Sequence, residues 1–424
     1  MTRASDGRTE DPTGTRCDDE GQGFIDAAEA LGQEIVAATG RARDGSIYWR
    51  GPAEVSGAIG LAPLGATLYP GTPGVALFLA ALERTLGGGH YGALCQAGLQ
   101  PLRREIARLT GSPDAGSRVQ HGIGGLSGLG SIVYALVRIG DLLEDDSLYE
   151  DAHGLSSLLT PARIEADESA DIMLGGAGAL LALLALAQRV PGPNPAGHTA
   201  MELAVSCGRH LVTRVRAYPE AAPGPGAASA PMGGFCHGAA GIAHALLGLY
   251  RHTEDPSFAR AATVAGDYER SLFDPERRDW GVWSGGERRF FNSWCKGAPG
   301  VLIARSGAVG VIDPPWLGPD IEAASARTCA GELNELDDVC CGTMGRVDAL
   351  VYAHQRLGES GLWRAARDLA GRVMSRAEHS QTLSFHPTFQ GLFDPRFFPG
   401  TSGVGYALLR VGGGSELPCV LAME

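Results

Sequence analysis

One lysine, Lys296, stands among 35 basic residues; the rest are arginine. Positive charge is short overall. The 48 acidic residues leave a net charge of −13, which argues against nonspecific nucleic-acid binding. Long hydrophobic runs are missing as well. The longest apolar stretch, residues 174–187, is too short and too glycine-rich at its start to span a bilayer. No signal-peptide pattern opens the chain, whose first 23 residues are polar, so a cytoplasmic protein is expected. A disulfide framework is lacking too. Nine cysteines, an odd number, are scattered from Cys17 to Cys419 and read as free thiols in a reducing compartment.

Glycine is in excess, at 62 of 424 residues, and it is spread through the chain. With 44% hydrophobic and 20% charged residues, the chain is globular with a large core. A repeat accounts for the glycine. A G-x-x-G unit followed by an apolar helical run occurs seven times, beginning at Gly71, Gly125, Gly175, Gly238, Gly297, Gly342 and Gly400. The steps, roughly 45 to 63 residues, leave room for two helices and their loops. Runs such as 75–82 and 179–186 are apolar nearly all round and belong inside a protein. More mixed helices at 201–214 and 362–378 suit an outer layer. Glycine before a helix leaves its N-terminal N–H groups free to face a common centre.

Seven inner helices with seven outer partners predict an all-α protein, a closed α/α toroid; the alternative is an open solenoid, which normally shows capping repeats. Residues 1–22 read as a disordered polar tail and 23–424 as the toroid domain. From Phe24 onwards, Phe24, Ile25, Ala28, Leu31 and Ile35 fall on one helical stripe. Segments 218–232 and 274–291, the latter with Trp280 and Trp283, read as loops.

Three short stretches carry chemistry: Trp294-Cys295-Lys296-Gly297, Val339-Cys340-Cys341-Gly342 and Phe235-Cys236-His237-Gly238. Cys295, Cys340 and Cys341 have the number and type of ligands of a zinc site with an open fourth position. Buried thiols packed as small hydrophobes are the other reading that the residues leave open. Cys236 reads as packing and His244 as core. Arg288 and Arg289 read as a solvated pair, and the acidic run 335–338 as surface charge.

Seven ordered motifs then meet a known pattern. They are Leu68-Tyr-Pro-Gly-Thr-Pro-Gly74, Gly122-Ile-Gly-Gly-Leu-Ser-Gly128, Asp171-Ile-Met-Leu-Gly-Gly-Ala-Gly178, Gly234-Phe-Cys-His-Gly-Ala-Ala-Gly241, Trp294-Cys-Lys-Gly-Ala-Pro-Gly300, Cys340-Cys-Gly342 and Pro399-Gly-Thr-Ser-Gly-Val-Gly-Tyr406. From about residue 60 to its end the chain resembles the LanC-type lanthionine cyclases, most closely the cyclase part of bifunctional lanthipeptide synthetases. The resemblance implies one Zn2+ held by Cys295, Cys340 and Cys341, with a peptide cysteine as fourth ligand. It implies addition of that cysteine to dehydroalanine or dehydrobutyrine in a dehydrated precursor peptide. His237 and Asp171 match the family's acid/base positions. The family's commonest zinc set has histidine where this chain has Cys341. Lys296 also departs from the family, and its charge is expected to offset the third thiolate or steady the enolate, as a third catalytic residue. The toroid uses the chain, so a separate dehydratase is expected to make the dehydro residues. Two alternatives share the fold: addition of glutathione or another small thiol, and a non-catalytic scaffold with a closed structural zinc.

Overall fold

The computed structural model describes residues 19–55, 57–111, 121–220, 232–284, 287–413 and 416–424. Its helices, in chain order, are α1 (Asp19–Ala37), α2 (Thr72–Leu86), α3 (His90–Thr110), α4 (Leu129–Leu143), α5 (Asp146–Ser156), the short α6 (Pro161–Glu165), α7 (Gly176–Ala187), α8 (Ala200–Val215), α9 (Ala239–Thr253), α10 (Pro256–Ser271), α11 (Ala298–Ala308), α12 (Leu317–Cys329), α13 (Thr343–Leu357), α14 (Ser360–Ser380) and α15 (Thr401–Gly412).

Helices α2, α4, α7, α9, α11, α13 and α15 each follow a glycine motif. Each packs on the next, and α15 packs back on α2, so the inner ring closes. Their side chains explain the placement. In α7 every residue before Ala187 is buried, as an all-round apolar helix requires. Helices α3, α5, α8, α10, α12 and α14 pack outside their preceding inner helix. The seventh outer helix is α1, which lies on α15 through the buried stripe Phe24, Ile25, Ala28, Leu31 and Ile35. Among the described residues, the first helix is thereby joined to the last inner helix.

Every inner helix has a glycine N-cap: Gly71, Gly128, Gly175, Gly238, Gly297, Gly342 and Gly400. The second motif is thus in register at Gly128, three residues beyond the expected Gly125. Glycine is needed here for closeness. A Cβ on Gly241 would stand 2.0 Å from the Phe235 carbonyl oxygen, and one on Gly178 2.0 Å from that of Ile172.

The loops before the caps are tied in sequence round the ring. The N–H two residues before one cap donates to the carbonyl two residues before the next. Tyr69 donates to Leu126 (2.8 Å), Leu126 to Met173 (3.2 Å), Met173 to Cys236 (3.2 Å), Cys236 to Cys295 (3.2 Å), Cys295 to Cys340 (3.4 Å) and Cys340 to Phe398 (3.2 Å). The seam from Phe398 back to Tyr69 is made by their rings, stacked at 4.9 Å. Beneath the loops, residues 416–424 fill the centre. Trp294 Nε1 donates to Leu421 O at 3.1 Å, Tyr406 Oη to Pro418 O at 2.9 Å, and Tyr134 Oη to Glu424 O at 2.9 Å.

Several expectations need correction. Residues 19–22 belong to α1, whose Asp19 and Glu20 favour the positive end of its dipole. The rest of the expected tail, 1–18, lies outside the described residues, as does 221–231 of the expected loop 218–232. Segment 274–291 is not a loop. It forms a three-stranded antiparallel sheet of Phe273–Asp274, Asp279–Ser284 and Glu287–Phe290, with Trp280 and Val282 facing inward. An antiparallel hairpin, Arg50–Val55 with Ala58–Pro63, precedes the first motif, and a two-residue pair, Gly40–Arg41 with Ile47–Tyr48, precedes that. Among the described residues no helix is long and apolar enough to cross a membrane.

Candidate metal centre

Registered on their cap glycines, the seven loops place equivalent residues together. Two before the cap stand Tyr69, Leu126, Met173, Cys236, Cys295, Cys340 and Phe398. One before it stand Pro70, Ser127, Leu174, His237, Lys296, Cys341 and Pro399, all at least partly exposed. The second set forms a solvent-facing rim above the first. Cysteines on neighbouring loops, joined by the ring bond from Cys295 N to Cys340 O, thereby meet at one sector of that rim.

The three sulfurs cluster. Cys341 Sγ lies 3.6 Å from Cys295 Sγ and 3.6 Å from Cys340 Sγ, and all three fall within 4.8 Å. Cys295 and Cys340 are buried and Cys341 is exposed, so the cluster opens toward solvent. Sulfurs bound at about 2.3 Å around a tetrahedral zinc would lie roughly 3.8 Å apart, so the thiols fit such an ion with little adjustment. Among the described residues no other His, Cys, Asp or Glu joins the cluster. Cys236 stays outside it, fully buried, its thiol pushed up by burial. Hydrogen bonds from Cys340 and Cys341 hold Cys295 well below the usual thiol range, while both donors are pushed up.

His237 and Asp171 lie together, with His237 Nδ1 2.8 Å from Asp171 Oδ2. The other oxygen, Oδ1, accepts the N–H groups of Leu174 (2.7 Å) and Gly175 (3.2 Å). A carboxylate oxygen at this contact is matched by an N–H on His237 Nδ1, which orients the ring with Nε2 on the side away from Asp171. Lys296 follows Cys295 on the rim. Its Nζ lies 5.7 Å from the Phe291 ring centroid, and its charge helps lower the Cys295 thiol.

Three residues of the site were not read from the sequence. Asp338, expected on the surface, is buried. Its Oδ1 accepts the N–H groups of Cys341 (2.7 Å) and Gly342 (3.2 Å), as Asp171 does in its own loop, and burial pushes its carboxyl up to about 6. Neighbouring Asp337 is buried too, paired with Arg376 and accepting from Ser384 N at 2.7 Å. The signal was available: both Asp171 and Asp338 stand four residues before a cap glycine. Glu269 reaches in from α10. Its carboxylate oxygens accept Gly234 N at 3.0 Å and Ala240 N at 3.2 Å, clamping the loop that carries His237. Gly234 has φ +93°, and a Cβ there would stand 2.7 Å from Cys295 O, so this loop seats against the cysteine loop only with glycine. Tyr69 Oη lies 3.3 Å from Cys340 Sγ.

Other expectations hold. His244 is in the core, its Nε2 3.1 Å from Ala422 O. Arg289 is exposed and pairs with Glu287 at 3.5 Å. Arg288 is less solvated than expected, since it pairs with Asp274 at 3.3 Å and donates to Leu272 O at 2.6 Å.

The profile of lanthionine synthetase C-like proteins matches residues 62–422. No curated protein matches the chain. Among solved structures, nisin cyclase is similar at 15% identity over 84% of this chain and 92% of that one, with a TM-score of 0.58. That likeness is one of fold. An α-mannanase of Bacteroides thetaiotaomicron is similar at 10% identity over 94% and 96%, with a TM-score of 0.49, too low to carry weight.

Proposed function

The chain belongs to the lanthionine synthetase C-like family, and on that premise we propose that it is a zinc-dependent cyclase that closes thioether rings in a dehydrated, ribosomally made peptide. The observation that carries this reading is the sulfur cluster, open on one side and sharing a rim with the Asp171–His237 pair. Cys295, Cys340 and Cys341 would hold the ion. A zinc ion held there would supply Lewis acidity, favouring the thiolate form of an incoming peptide cysteine at neutral pH, where a free thiol is mostly protonated.

The chain's own residues do the rest. In the reaction the peptide's S–H bond breaks, a C–S bond forms at the β-carbon of the dehydro residue, and its C=C π bond is lost. The α-carbon gains one proton, so the product is an isomer of the substrate. His237, held by Asp171, delivers that proton from Nε2 and recovers one from the next incoming thiol. Asp171 keeps the ring oriented and stabilises its charged form. Lys296 adds positive charge where three thiolates accumulate negative charge. A separate dehydratase supplies the dehydro residues.

Three clustered sulfurs, one of them exposed, favour this reading over a structural zinc, which four protein ligands would close. The test uses a synthetic peptide with one dehydroalanine and one cysteine. Enzyme-dependent loss of N-ethylmaleimide labelling at unchanged peptide mass supports cyclisation. Labelling that stays at the no-enzyme rate, with glutathione adding instead, supports the small-thiol reading.

A further inference from the structure

Tyr69 belongs to the first loop, far in sequence from the cysteines, yet it reaches one of them. Its hydroxyl donates to Cys340 Sγ at 3.3 Å. Its ring stacks on Phe398 at 4.9 Å with an interplanar angle of 13°. Phe398 in turn offers its carbonyl to Cys340 N at 3.2 Å. Cys340 is therefore gripped twice from the seventh seam, by its backbone through Phe398 and by its sulfur through Tyr69. Tyr69 is anchored by its own N–H to Leu126 O at 2.8 Å.

We infer that Tyr69 is a positioning residue of the metal site: its hydroxyl donates to the Cys340 ligand sulfur, and its ring closes the loop ring at the seam that aims that sulfur. The inference rests on the reading that the three cysteines hold a metal. A bound thiolate has no proton to give, so the hydroxyl must be the donor. A donor beside a thiolate draws off electron density and offsets part of the charge of a three-thiolate set. Such partners fix ligand orientation and tune the metal. A phenylalanine here would keep the stacking and lose only the donor.

The test is metal binding, independent of turnover. Wild type and Tyr69→Phe are titrated with Zn2+ in competition with a chromophoric chelator, then loaded with Co2+. Zinc binding weaker by about tenfold or more in Tyr69→Phe is expected. The sulfur-to-cobalt charge-transfer band should move to longer wavelength, because the sulfur lone pairs rise when the donor is lost. Tyr69→Leu, which also breaks the stack, should bind more weakly still. Unchanged affinity and an unchanged band in Tyr69→Phe overturn the inference and leave the metal site standing. Failure of wild type to bind either ion overturns the metal site and the inference with it.

Discussion

Asp171 joins His237 to the backbone of its own loop. One carboxylate oxygen lies 2.8 Å from His237 Nδ1, and the other accepts the N–H groups of Leu174 and Gly175 just before α7. Side-chain orientation on one wedge of the toroid is thereby tied to the loop that leads into the inner helix of the wedge before it.

Asp171→Asn keeps the shape and changes the chemistry. With the amide oxygen on the backbone N–H groups, the NH2 faces His237 Nδ1 and forces the other tautomer. Cyclisation should fall by about 10²-fold or more while zinc content stays at the wild-type level. Steady-state rates with elemental analysis check both halves.

Lys296→Ala should slow cyclisation roughly tenfold, the loss of about 1.4 kcal/mol from one nearby charge. Lys296→Arg should recover part of it. Wild-type rates in both Lys296→Ala and Lys296→His would remove the side chain from the mechanism.

Glu269 sets a pH dependence of stability. Burial pushes its carboxyl from an ordinary 4.5 up to about 7. Between those values the folded chain holds a proton that the unfolded chain has lost. Its contribution is thus fully present below about 4.5 and is lost as pH rises through about 7. The swing is on the order of 3 kcal/mol. Urea unfolding across this range should show the decline in wild type and a flatter profile in Glu269→Gln.

Gly241→Ala presses a methyl onto the Phe235 carbonyl, 2.0 Å away on backbone that cannot swing aside. It should cost about 1–3 kcal/mol and disturb the loop carrying His237. Thermal unfolding and the His237 ring resonances by NMR would register the two effects.

Much of this architecture was legible because the repeat pairs a glycine cap with an all-apolar helix, a local signal. The second motif slipped by three residues because its run from Gly122 to Gly128 offers glycine at several phases. The seventh outer partner was illegible locally, since α1 meets α15 only through the closed ring. The sheet over 273–290 hid behind charged residues, although Trp280 and Val282 alternate inward and Gly285-Gly286 is a hairpin signal in the sequence. The cysteine cluster and the Asp171–His237 pair came from motifs. Asp338 was misread because acidic runs are usually solvated, while here two backbone N–H groups need an acceptor.

The central claim is an open three-thiolate metal site, and zinc per chain measured by elemental mass spectrometry tests it most directly. Wild type, Cys341→Ala and Cys236→Ala are purified without added metal. About one zinc in wild type and in Cys236→Ala, with clear loss in Cys341→Ala, is the predicted result. No zinc in wild type, or loss in Cys236→Ala equal to that in Cys341→Ala, would contradict it.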